Sequence, residues 1–233
     1  MQSTPEQTPV VLVHGWGGSF EATWRRSGFT DLLADAGRTV IGVDLLGHGD
    51  APKPHDPQDY ADLTERIADH LPPQPVDAVG FSLGAFTLLE LAVRSPERFR
   101  RIVLVGVGRN VLERDEERTA RIIAGVDGSG DPDDNIGRLF AQYASSNGND
   151  RAALLALLRR PARHLFTAGH LASVSCPVLV VLGDRDDAGP ADPLVAALPD
   201  VRLTVLRNTD HFATPESFGF IDAALEFLDA VPA

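Results

Sequence analysis

Apolar residues in this chain cluster into short unbroken runs: Val10–Val13, Thr39–Val43, Val76–Phe81, Arg101–Val107, Val178–Leu182 and Arg202–Leu206. Most of these runs do not alternate with polar residues, which is the signature of parallel strands covered on both faces. Amphipathic stretches separate most of them and predict helices over Phe29–Ala36, Tyr60–Leu71, Leu83–Arg94, Pro193–Leu198 and Glu216–Ala230. Pro96 stops the third, because proline has no N–H and its ring clashes with the preceding turn. Regular strand–helix alternation predicts an α/β fold with a doubly wound, mostly parallel sheet and helices on both faces.

The rhythm breaks between Arg109 and about Ser173. No strand pattern occurs there, and helices are expected over Leu112–Ala124, Asn135–Ser145 and Asp150–Leu158, separated by the Gly- and Asp-rich stretch Gly125–Asp134. The expected organisation is a core of residues 1–108 and 174–233 with a small helical cap insertion, residues 109–173. With strand order 2-1-3-4-5-6, the connections diverge between strands one and three. Ligands bind at such a point, at the carboxyl ends of the strands.

Two unusual loops meet there. Gly80-Phe81-Ser82-Leu83-Gly84 lies between the third strand and its helix, and G-x-S-x-G in that context lifts a serine Oγ clear of the sheet. His14-Gly15-Trp16-Gly17-Gly18 ends the first strand. A serine hydroxyl needs a base, and the base needs an acid to fix its tautomer. Gly183-Asp184-Arg185-Asp186-Asp187 follows the fifth strand and Asn208-Thr209-Asp210-His211-Phe212 the sixth, both at the same sheet edge. From the residues alone, Asp184, Asp186 and Asp187 are all candidates for the acid.

In these motifs and their order the chain resembles the α/β-hydrolase superfamily, over nearly its whole length. The resemblance implies a catalytic triad of Ser82, Asp186 (the G-x-x-D position) and His211, with Asp184 and Asp187 still open. It implies an oxyanion hole formed by the backbone N–H groups of Trp16 and Leu83, and a scaffold role for Asp44-Leu45-Leu46-Gly47-His48-Gly49 and for His14. Asp210 stands where the family often has glycine. The implied activity is that of a serine esterase: a small carboxylic ester, thioester or lactone cleaved through an acyl-enzyme, with no cofactor and no metal. Carbon–carbon hydrolysis, perhydrolysis, lyase chemistry and a slow-turnover ligand receptor are alternatives on the same triad. Ser82 excludes the related dehalogenases, which use aspartate at this position. Trp16, Phe81, Phe140, Tyr143 and Phe212 are candidates for the substrate pocket.

Composition narrows the remaining classes. A 233-residue chain with 43% hydrophobic and 23% charged residues can bury a full core without crosslinks. Its net charge is -12 and Lys53 is its only lysine. This balance argues against nucleic acid or an anionic membrane surface as partner, leaving a small-molecule substrate and a monomer or homodimer. The arginines of the insertion, Arg163 among them, are expected to pair with acids on solvated helix faces. His55, His70, His164 and His170 lack metal-binding spacing and read as surface or capping residues. Cys176, the single cysteine, reads as a small buried hydrophobe, and Met1–Pro9 lacks the features of a signal peptide, so the expected location is cytoplasmic.

Overall fold

A computed structural model describes residues 8–146, 148–161 and 165–232, leaving Arg163 and His164 outside the described residues. Six strands, β1 (Val10–Val13), β2 (Val40–Val43), β3 (Val76–Phe81), β4 (Phe99–Val105), β5 (Val178–Gly183) and β6 (Val201–Leu206), form one sheet. Their order is β2-β1-β3-β4-β5-β6 and every pair is parallel, as the apolar runs imply.

Alternate residues along each central strand feed opposite cores. Val11, Val13, Ala78 and Leu104 pack with Leu83 and Leu88 of helix α3 (Leu83–Arg94), Ile67 of α2 (Thr64–Ala68) and Leu194 of α8 (Asp192–Ala197). Val10, Leu12, Val79 and Val105 pack instead with Phe29 and Leu33 of α1 (Phe29–Asp35) and Phe220 and Leu225 of α9 (Phe218–Phe227). Each face thus has its own closed core, which fixes the sheet rigidly beneath the loops at its carboxyl edge. Of the two edge strands, β2 is half-buried, with the Phe20 side chain against Gly42. The other, β6, leaves Leu203 and Val205 exposed.

Between β4 and β5 the described elements are all helical: α4 (Glu116–Asp127), α5 (Asn135–Ala144), α6 (Arg151–Leu158) and the short α7 (Ala168–Leu171), preceded by a single turn at Arg109–Val111. Ile122, Val126, Ala144 and Leu154 form a small core of their own, and Trp16 and Phe140 pack against it. Local capping sets the boundaries. The start expected at Leu112 moves to Glu116 because the Asp115 carboxylate accepts the Arg118 N–H at 2.8 Å, and Gly128, in the left-handed region, ends α4. Asp134 and Asp150 cap α5 and α6 in the same way. The helix expected over Tyr60–Leu71 is confined to α2, because the Asp62 carboxylate accepts both the N–H (2.8 Å) and the hydroxyl (2.6 Å) of Thr64 and starts the helix there. In α9 the helix begins after Ser217, which caps it, rather than at Glu216.

At the amino end of the sheet a buried carboxylate, Asp77 of β3, sits between Arg38 and Arg100, and all three are joined by hydrogen-bonded ion pairs. The Arg38 guanidinium also donates to the carbonyls of Thr8 (2.9 Å from Nε) and Leu228 (2.6 Å), tying both ends of the described chain to β3.

Candidate active site

Ser82 closes β3 and opens α3 with φ 51° and ψ -112°, a conformation that non-glycine residues rarely adopt. Such strain costs about 1–3 kcal/mol and persists only where the surroundings enforce it. Here the Ser82 N–H donates to Val105 O at 2.8 Å, and glycines on either side admit close packing. A Cβ at Gly80 would stand 2.8 Å from the Ala85 backbone, and one at Gly84 would run into the carbonyls of Val13 and His14.

Two further loops are laced together at the same edge. Asp184 N–H donates to Leu206 O at 2.9 Å and Arg185 N–H to Thr209 O at 3.1 Å, while Gly183 lies against the Thr209 backbone, where a Cβ could not fit. This brings His211 between Ser82 and Asp186. His211 Nε2 lies 3.0 Å from Ser82 Oγ, and His211 Nδ1 lies 2.8 Å from Asp186 Oδ2. The second oxygen of Asp186 accepts the Ala188 N–H at 2.8 Å, and its side chain is 1% exposed. A buried carboxylate on Nδ1 holds the proton there and leaves Nε2 free to accept one from Ser82. Asp187 instead projects into solvent, 4.0 Å from Arg118, and Asp184 is exposed. Asp210 turns into its own turn and accepts the Ala213 N–H at 2.9 Å.

The loop after β1 rests on Ser82: a Cβ at Gly15 would lie 3.2 Å from the serine Cβ. Leu83 is the first residue of α3, so its N–H is among those a helix leaves without an intrahelical acceptor. Two buried histidines hold the loop from below. His14 Nε2 accepts the Leu45 N–H at 3.1 Å, and His48 Nε2 accepts the Gly17 N–H at 3.0 Å. Each ring therefore keeps its proton on Nδ1, which donates to Gly15 O (2.7 Å) and Leu46 O (3.1 Å) respectively. Burial lowers both pKa values, that of His48 to about 3, so both rings are neutral. Within Asp44–Gly49, for which the family resemblance implies a scaffold role, the His48 contact to Gly17 arises only in three dimensions.

A cavity of about 880 Å³ opens over Ser82, His211 and Asp186. Of the five aromatic pocket candidates, Trp16 and Phe140 line it, together with Leu83, Phe86, Ile122 and Leu165. The other three lie elsewhere. The Phe81 ring backs the His211 imidazole at 4.8 Å, because it points from the strand end toward the catalytic loop. Tyr143 and Phe212 stack on each other at 5.0 Å, forming a seam between α5 and the His211 loop. Arginines on the wall mostly have partners, as expected: Arg109 with Glu113, Arg114 with Glu116 and Arg159 with Asp127. Arg160 differs. Its guanidinium donates to Leu157 O at 2.9 Å, and among the described residues no carboxylate stands within ion-pair distance of it. Cys176 is buried in the core, where desolvation pushes its thiol up to about 11. His170 completes a capping box with Thr167, and the exposed His55 pairs with Asp150. Among the described residues no group of three or more His, Cys, Asp or Glu side chains could hold a metal ion, and no helix is long and apolar enough to cross a membrane.

A strained serine after the central strand of a parallel sheet, in line with a histidine and a buried carboxylate, defines the nucleophile-elbow class of hydrolases. The model of the α/β hydrolase fold family matches residues 8–124, and the chain belongs to that family. A pimeloyl-[acyl-carrier protein] methyl ester esterase of Neisseria meningitidis serogroup B is 32% identical, over 87% of this chain and 85% of its own. One of the same name from Nitrosomonas europaea is 28% identical, over 94% and 95%. Among solved structures, a marine microorganism esterase superposes with TM-score 0.71 at 18% identity, covering 95% of each chain. The 2-hydroxy-6-oxo-6-phenylhexa-2,4-dienoate hydrolase of Rhodococcus sp. strain RHA1 does so with TM-score 0.74 at 22% identity, covering 97% and 92%. These two likenesses establish the fold.

Proposed function

We propose that this chain, a carboxylic ester hydrolase, works through an acyl-enzyme on Ser82. The observation that carries this reading is the hydrogen-bonded line Ser82–His211–Asp186, with separations of 3.0 and 2.8 Å. His211 Nε2 takes the Ser82 proton as Oγ attacks the ester carbonyl carbon. The carbonyl oxygen becomes an oxyanion facing the N–H groups of Trp16 and Leu83, where one donor is worth about 2.7–4 kcal/mol. Collapse breaks the bond to the alcohol, which leaves with the proton from His211. Water then attacks the acyl-enzyme with His211 again as base, releasing the acid and restoring Ser82. The helices over 109–173 act as the cap that walls the cavity.

A volume of about 880 Å³ exceeds what a short ester needs and suits an acyl chain of medium length. The relatives named for a methyl ester on acyl-carrier protein support the same direction, and we extend it to this chain as an ester of such a chain, free or carrier-borne. The test is hydrolysis of p-nitrophenyl acetate, butyrate and octanoate, and of the pimeloyl-carrier methyl ester, by wild type and Ser82→Ala. Turnover with kcat/KM rising from acetate to the longer chains, and lost about 10³-fold or more in the variant, is the expected outcome. A folded Ser82→Ala protein that keeps wild-type turnover overturns the reading.

A further inference from the structure

The loop carrying Trp16 is held from two directions, and both grips close on one residue. From the core, His48 accepts the Gly17 N–H at 3.0 Å. From the helical insertion, Asn149 Nδ2 donates to the Gly17 carbonyl at 2.8 Å and to the Tyr143 carbonyl at 3.1 Å, consuming both amide hydrogens. Gly17 itself has φ +73°, and a Cβ there would lie 2.8 Å from the Tyr143 ring. Next door, Trp16 Nε1 donates to Leu154 O at 3.3 Å, and its ring packs into the small core of the insertion. With the N–H and the C=O of Gly17 both pinned, the peptide planes on either side of it cannot rotate. The first of those planes carries the Trp16 carbonyl and so fixes Trp16 from its carboxyl side, while its N–H lies in the preceding plane, whose Gly15 carbonyl accepts from His14 Nδ1 at 2.7 Å and from the Gly18 N–H at 3.1 Å.

We infer that Asn149 and His48 are positioning residues for the oxyanion loop, gripping Gly17 from the cap side and the core side so that the Trp16 N–H is aimed only while the insertion is seated. The inference rests on the proposed role of Trp16 as an oxyanion donor. Neither side chain is placed to touch the reacting atoms: His48 is buried with its acceptor nitrogen engaged, and Asn149 spends both hydrogens on backbone carbonyls. A misaimed donor leaves ground-state binding intact and weakens the transition state, so the signature is a loss in kcat at nearly constant KM. Misplacement on the ångström scale costs up to about 10²-fold.

The experiment measures kcat, KM and pH profile on p-nitrophenyl acetate, whose acyl group is too short to need the insertion, and inhibition by phenylboronic acid, which forms a tetrahedral adduct on a serine Oγ. Variants are Asn149→Ala, Asn149→Asp, His48→Gln, His48→Ala and the double alanine. Asn149→Ala is expected to lose about tenfold or more in kcat with KM within a factor of about two. Boronate affinity should fall in step, and the pH midpoint should not move. Asn149→Asp, which has acceptors only, should match alanine. His48→Gln, whose amide oxygen can accept the Gly17 N–H, should recover much of what His48→Ala loses. The double alanine should lose less than the product of the singles, because the two grips share one residue. Unchanged kcat in Asn149→Ala, or a loss with parallel shifts in KM and pH midpoint, overturns the inference. Should His48→Ala fail to fold, the partly exposed Asn149 carries the test alone. Failure of this inference with Ser82→Ala still inactive leaves the proposed function standing, whereas an active Ser82→Ala removes its basis.

Discussion

Two carboxylates are buried at opposite ends of the same sheet, and they have been given different partners. Asp77, at the start of β3, lies between two guanidinium groups, which are charged at every working pH. Asp186, beyond the end of β5, has one imidazole and one backbone N–H. A permanent cation makes a fixed link, and Arg38 uses it to join the two ends of the described chain to a central strand. An imidazole makes a link that survives while a proton moves past it, which catalysis needs. The static end of the sheet thus carries arginine, and the end to which the proposed mechanism assigns turnover carries histidine.

Neutralising each carboxylate separates the two roles. Asp186→Asn should lower kcat by about 10⁴-fold with little change in urea midpoint, since the amide favours the wrong imidazole tautomer. Asp187→Asn, altering a side chain 72% exposed, should stay within about threefold, and a larger loss there would reassign the acid. Asp77→Asn should do the reverse. It strands two guanidinium groups, one of them buried, and should cost about 3–5 kcal/mol in denaturant titration while leaving kcat per folded molecule unchanged. A catalytic defect in Asp77→Asn at full folding would break the comparison.

The acid limb sharpens it further. His48 is neutral in the fold with its pKa lowered to about 3, against an ordinary value of 6.5. A base with a lowered folded pKa binds its proton more readily when unfolded. Its stabilising share is therefore complete above about 6.5 and is lost as pH falls toward about 3, by up to about 1.4 kcal/mol per pH unit. Urea titrations of wild type and His48→Gln across that range should converge as pH drops. Parallel curves would mean that the ring is not buried neutral. The smallest effect expected is at Cys176. With its thiol near 11 and buried, it should resist a thiol-directed disulfide reagent at pH 8, and Cys176→Ala should keep wild-type kcat.

The sheet and the placing of Ser82, His211 and Asp186 side by side were both legible in the sequence for one reason: each is written in contiguous signals. Strands such as Val178–Gly183 are buried on both faces, so they appear as apolar runs, and the elbow glycines answer to local sterics. What escaped reading depends on side chains meeting from distant elements. Asp77 looks like an ordinary polar interruption of a strand until Arg38 and Arg100 arrive from β2's approach and β4. Asn149 looks like a loop residue, and only the fold places it on Gly17, 132 positions away. Aromatic side chains misled for a related reason. Phe81 and Phe212 belong to the motifs and Tyr143 to the apolar face of α5, but the strand end and α5 turn their rings to buttress His211 and its loop, leaving the cavity wall to Trp16 and Phe140.

The hydrogen bond from Ser82 N–H to Val105 O has a consequence for the order in which the protein can become active. Chains emerge from the ribosome amino end first. The elbow cannot be locked until β4 has emerged and paired, and the proton acceptor His211 lies more than a hundred residues further on. A nascent chain therefore carries the proposed nucleophile, Ser82, through most of synthesis without the means to activate it. On the proposed mechanism, hydrolysis begins only when the His211 loop beyond β6 is in place.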